Sequence, residues 1–213
     1  AMISPLLSEV VAGRAPELMT FTVDQYHQLT QSGVLLEGAP VELIDGVIVC
    51  KDRRDGEGST MNHGPNHGFV VSELFEILRS QLHVATHHVR NQLPVTLTDC
   101  TEPEPDLAVV VGMRADYLKR HPGPADIRAV IEVADSSRNY DRTTKQRVYA
   151  SANIPTYWVV NLPENRLETF RQPDPKAGIY QALAVVDAVG TAELMIETDE
   201  VLSVPMTSLF PPA

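Results

Sequence analysis

Cysteine is nearly missing from this chain, with two in 213 residues, and that scarcity excludes a disulfide framework. It points to a reducing compartment, the cytoplasm, and leaves Cys50 and Cys100 to be read as plain interior residues rather than metal ligands. Long apolar runs are also missing. Nothing is long enough to span a bilayer, and no charged-then-apolar leader is seen, so no membrane partner is expected. Basic residues are few: 17 Lys and Arg stand against 28 Asp and Glu, a net charge of −11. That excludes broad surface attraction to nucleic acid, which Lys and Arg drive. It leaves room for a carboxylate site that takes a metal first and meets phosphate through it. Trp occurs once, and no run interleaves Arg or Lys with aromatics as a stacking platform would. What is present is an ordinary globular composition, 43% hydrophobic and 21% charged, without repeat or linker. One domain over residues 1–213 is expected. Ala1 ahead of Met2 is set aside as expression-derived, and residues 1–19 are read as an N-terminal extension.

The chain alternates strand and helix signals. Thr22 is placed to N-cap a short helix, with Gln25 at the capping-box position. VELIDGVIVCK reads as a hairpin about Asp45-Gly46. Residues 52–66 are polar and glycine-containing, a loop. From His67, the positions Val70, Val71, Leu74, Leu78 and Leu82 recur at helical spacing. Strands are predicted around 86–90 and 94–98, then one headed by Asp106, a helical turn near 115–120, and a strand over 128–134. A helix of about four turns then ends near Asn153. The apolar run 156–160 and the segment 166–171 form a strand pair around Pro163-Glu164-Asn165, and two or three weaker strands close the chain. Solvated histidines are expected at His83, His87 and His88, whose spacing fits no zinc pattern. Tyr157 and Trp158 belong to the core or to a dimer surface. The fold class is α/β (α+β), a central mixed sheet flanked by helices, with an N-terminal hairpin and a C-terminal antiparallel extension.

Chemistry gathers where acids interrupt apolar strands. Glu132 breaks Ala129-Val130-Ile131 from Val133-Ala134, and Asp106 heads Leu107–Val111. A lone buried carboxylate costs several kcal/mol unless it is paired or holds a metal. Strand alternation puts Asp106, Ala108 and Val110 on one face, and Glu132 shares its face with Val130 and Ala134. On the following helix Lys145, Val148, Tyr149 and Ala152 form one stripe. Two carboxylates and an ammonium are what phosphodiester hydrolysis by Mg²⁺ or Mn²⁺ asks for. The acids hold the hard cation, and the lysine orients water or offsets developing charge. The same residues also fit a plain arrangement, with Asp106 capping its strand after Pro105 and Glu132 paired with Lys145 or Arg147.

At this point the sequence resembles the PD-(D/E)XK nuclease superfamily and, within it, the Uma-type restriction endonuclease family. Pro105-Asp106 matches the PD, and Glu132 the second acid. Glu42-Leu43-Ile44-Asp45-Gly46 is similar to the family's hairpin, and His67 opens its first long helix. Asp141, Lys145 and Tyr149 match the later helix, and residues 154–160 the strand after it. Two residues beyond Glu132 stands Ala134, where the superfamily has lysine; the resemblance hands that role to Lys145. Asp135 departs from the usual serine and adds an acid. The resemblance implies a DNA endonuclease with Asp106, Glu132 and Lys145 catalytic. It implies Mg²⁺ (or Mn²⁺) on Asp106, Glu132 and the Val133 carbonyl, and a homodimer acting on duplex DNA. Glu42, His67, Asp141 and Tyr149 are accessory candidates. A catalytically silent interaction or regulatory domain on the same fold is the alternative, favoured by the net acidity.

Overall fold

The computed structural model describes residues 13, 18–36, 38–51, 64–134, 141–197 and 200–211, without the side chains of 141 and 142. Most of the N-terminal extension, most of the 52–66 loop, and Asp135 therefore lie outside the described residues. So does the side chain of Asp141.

Helix α1 (Val23–Gln31) starts at the expected cap: Gln25 N–H donates to Thr22 Oγ1 (3.2 Å) and Thr22 N–H to Gln25 Oε1 (2.9 Å). Strands β1 (Val41–Ile44) and β2 (Val47–Cys50) form the Asp45-Gly46 hairpin. Both turn residues have positive φ (51° and 77°), which the two-residue turn requires. Glycine is needed at 46 twice over, because a Cβ there would meet Thr20 Cβ at 2.4 Å. Helix α2 (Pro65–Gln81) begins on Pro65, where a missing N–H costs nothing, and buries Val70, Val71, Leu74 and Leu78.

A six-stranded mixed sheet follows in the order β3-β4-β5-β6-β7-β8, made of β3 (His87–Asn91), β4 (Leu107–Val111), β5 (Ile127–Ala134), β6 (Thr156–Asn161), β7 (Arg166–Asp174) and β8 (Ile179–Asp187). All neighbours are antiparallel except β5 and β6, whose parallel pairing demands the helical crossover between them. β4, β5 and β6 read as nearly unbroken apolar runs because both faces are covered. On one face Leu107, Val109, Ile131 and Trp158 pack with α2 and with a separate two-stranded sheet, β9 (Thr191–Glu197) and β10 (Glu200–Pro205). A short terminal helix, α4 (Met206–Leu209), completes that layer. On the other face Ala108, Val110, Val130 and Ala134 pack with Ile44 of the hairpin and with Val148 and Tyr149 of α3 (Gln146–Ser151). The alternation read from the sequence thus sorts the two cores.

Four expectations are corrected. Residues 94–98 make no strand: Pro94 lacks a donor, and the segment folds back on 101–103 through Val95 N–H to Pro103 O and Leu97 N–H to Thr101 O. His87 and His88 are buried, not solvated: they point to opposite faces of β3, where His87 lies against Glu197 and Glu200, and His88 against Tyr117 and Gly112 O. Cys50 is exposed and Cys100 half-buried, each at the rim of the hairpin region instead of in a core. The helix before Asn153 contains a π-helical turn over Asp141–Lys145, which spacing arguments based on 3.6 residues cannot anticipate.

Candidate active site

The antiparallel register of β4 on β5 sets Leu107 opposite Ile131. Asp106, one residue before β4, therefore lies beside Glu132 and Val133 near the C-terminal end of β5. Backbone amides lock the pair: Val133 N–H donates to Asp106 Oδ2 at 2.8 Å, and Asp106 N–H points to Glu132 Oε2 at 3.4 Å. The parallel crossover returns the chain so that Lys145, last residue of the π-helical turn, reaches Glu132 Oε1 at 3.0 Å. Tyr149 OH, one turn on, donates to the same oxygen at 2.9 Å. The hairpin supplies the third acid, with Glu42 Oε2 2.9 Å from Lys145 Nζ and accepting from Glu104 N–H at 3.3 Å. From the other face of the sheet, His67 near the start of α2 brings Nε2 to 3.3 Å from Asp106 Oδ2.

Burial makes this cluster chemically distinctive. Glu42 is 1% exposed, Lys145 4% and Glu132 6%, whereas Asp106 opens further toward solvent. An ammonium withdrawn from water that far is stable only against carboxylates, and Lys145 lies between two. Arg147, the other partner considered for Glu132, instead meets Asp45 at 2.5 Å on an exposed rim. The surrounding field is negative. Burial first, then the charges of Glu102, Glu104 and Glu42, raise the Tyr26 phenol above its ordinary value. A negative pocket of oxygen donors attracts a hard cation, and a fixed ammonium inside it can orient a water or a phosphate oxygen.

The sequence-predicted residues Glu42, His67, Asp106, Glu132, Lys145 and Tyr149 converge here, with Val133 contributing its backbone. Sequence reasoning missed the stretch Thr96–Glu104, which lies behind the hairpin. Its Glu102 N–H donates to Leu43 O at 2.8 Å, and Glu104 pairs with Lys51 at 2.6 Å. The signal available was Glu102-Pro103-Glu104-Pro105-Asp106, where prolines force an extended backbone and place alternate acids on one side.

Comparison with known proteins agrees with this arrangement of elements. Residues 23–202 match the family model Uma2, described as "Putative restriction endonuclease". The fold is similar to the crystal structure of "a putative nuclease belonging to DUF820" from Anabaena variabilis ATCC 29413. The TM-score is 0.64 at 17% identity, covering 89% of this chain and 97% of that one. No curated protein matches the sequence. At that identity the structural likeness establishes the fold, while the family match runs from α1 into β10. The chain belongs to the Uma2 family.

Proposed function

We propose that this protein is a Mg²⁺-dependent endonuclease, also served by Mn²⁺, that hydrolyses phosphodiester bonds in DNA. One observation carries the reading: the Lys145 ammonium lies buried between Glu42 and Glu132, while Asp106 lies beside Glu132 on the neighbouring strand segment. A lysine has no packing use in such a place, and phosphoryl transfer does have one for it. The family match supports the substrate class.

The donor set fits a hard divalent ion, since the Asp106 and Glu132 carboxylates and the Val133 carbonyl are all oxygen. Those three would hold it. When bound, the ion lowers the pKa of a coordinated water and offsets charge on the phosphate. The protein's own groups do the rest. Glu132 Oε1 is fixed by Lys145 and Tyr149, which orients its carboxylate and keeps it from rotating. Lys145 Nζ holds the attacking water or steadies the charge that gathers on the phosphate oxygens as the water oxygen bonds to phosphorus and the ester P–O bond breaks. His67, 3.3 Å from Asp106 Oδ2, aligns that carboxylate. Acting on both strands of a duplex calls for two such sites. We therefore propose a two-fold dimer through β8, which hydrogen-bonds a neighbouring strand on one side and exposes Leu183 and Val185. Tyr157 and Trp158 lie on β6, inside the sheet between β5 and β7, so they belong to the core and not to the dimer surface.

The test is nicking of supercoiled plasmid DNA. Wild type should cut with Mg²⁺ or Mn²⁺ and stop with chelator, and Glu132→Gln should be at least about a hundredfold slower. Wild type that binds the ion yet leaves DNA intact would favour a silent, regulatory use of the fold.

A further inference from the structure

We propose that His27, Glu102 and His121 form a second metal site, built for Zn²⁺ or a similar borderline ion and separate from the oxygen-lined cleft. The three residues come from three places: α1, the segment that bridges to β1, and the loop before the 3-10 turn Pro124–Asp126. One ligand atom from each lies within 4.8 Å of the other two. Glu102 is 2% exposed, so its carboxylate has been taken out of water for a purpose. Its two oxygens are divided: Oε2 accepts from Thr96 Oγ1 at 2.6 Å, and Oε1 faces His27 Nε2 at 2.5 Å. A hydroxyl that steadies the far oxygen is how ligating carboxylates are usually oriented. The rings of His27 and His121 meet edge to face, 6.0 Å between centroids and 77° apart. Arg90 Nη2 stands 3.4 Å from His121 Nδ1, a cation that a bound ion would have to push aside.

The donor types separate this site from the first. Imidazole nitrogen suits zinc, nickel, copper or iron and is a poor match for Mg²⁺, which the all-oxygen cleft prefers. Two histidines and a glutamate give zinc three protein ligands and leave a fourth position for water. Ligand atoms around zinc sit roughly 3.4 Å apart at tetrahedral angles and bond lengths near 2.1 Å. The His27–Glu102 contact would therefore open by under about 1 Å. His27, with 39% of its side chain exposed, is free to make that shift. An ion here would clasp α1 to the segment that leads through Glu104 to Asp106, so it would brace the scaffold of the cleft without touching substrate.

Zn²⁺ alone is the stabilising probe, and Co²⁺ reports coordination through its visible absorption. Wild type and Asp106→Asn should each bind one Zn²⁺, with Tm raised by about 5 °C at a hundredfold excess over Kd. His27→Gln and His121→Gln should lose that rise and bind at least about tenfold more weakly, with Co²⁺ bands reduced in parallel. His27 is partly exposed, so its variant should retain the wild-type circular dichroism spectrum and keep the comparison sound. Wild type without a Zn²⁺-dependent rise would overturn the proposal. So would an equal rise in both histidine variants, or a rise lost in Asp106→Asn but kept in His27→Gln.

Discussion

Lys145 Nζ lies 2.9 Å from Glu42 Oε2 and 3.0 Å from Glu132 Oε1, so one ammonium ties the hairpin to the central sheet. Structure and proposed chemistry both run through that contact. Removing the lysine would leave two carboxylates facing each other with little water between them.

Lys145→Ala should therefore do two things at once. Stability should fall by about 3–5 kcal/mol, the usual consequence of stripping one partner from a buried ion pair. Cleavage should slow on the order of a hundredfold or more while Mn²⁺ still raises the melting temperature. Lys145→Arg should not recover the rate, because a broad planar fork does not fit where a compact ammonium did. Urea unfolding and single-turnover cleavage check the two parts. An intact rate in Lys145→Ala would remove the lysine from the chemistry.

Tyr149→Phe isolates a smaller effect. The ring stays in the core against Tyr157, and the bond to Glu132 Oε1 is lost. A loss of about 1–2 kcal/mol in stability is expected, with activity lowered but not abolished. A rate equal to wild type would mean Lys145 alone suffices to orient Glu132.

Much of this was legible in the sequence because burial writes itself as pattern. The interruptions at Asp106 and Glu132 stand out against β-rich apolar runs, and the stripe of Lys145 and Tyr149 survives the π-helical turn because both still face Glu132. Glu42 could not be assigned, since alternation in a four-residue strand does not say which face is covered. The cluster of His27, Glu102 and His121 left no trace. Its members lie on separate elements, and only the fold-back of 94–104 brings them together. The burial of His87 and His88 was invisible for a related reason, because it depends on which distant residues cover each face of β3.

His88 gives a pH dependence with a definite sign. Burial is the main cause holding its pKa below the ordinary histidine value, and Arg90 and Arg114 lower it further, against the raising effect of its bond to Gly112 O (2.8 Å) and of Asp116. The unfolded chain then takes up a proton near pH 6.5 that the folded chain resists. The contribution is complete above that pH and is lost as pH falls toward the folded value. Stability should decline between pH 7 and 5.5, and more shallowly in His88→Leu. Parallel denaturation profiles for both proteins would contradict this.

The β8 edge yields a test of assembly. Light scattering at micromolar concentration should give a dimer mass, and Leu183→Lys with Val185→Lys should shift it to monomer while leaving the fold intact. A wild-type monomer would remove the dimer.

The central claim is that Asp106 and Glu132 hold the ion that serves hydrolysis, and crystals soaked in Mn²⁺ test it most directly. Anomalous diffraction at the manganese edge should show one peak bonded to both carboxylates, with the Val133 carbonyl completing the protein ligands at about 2.1–2.3 Å. Full-occupancy manganese elsewhere, with no peak at Asp106 and Glu132, would contradict it.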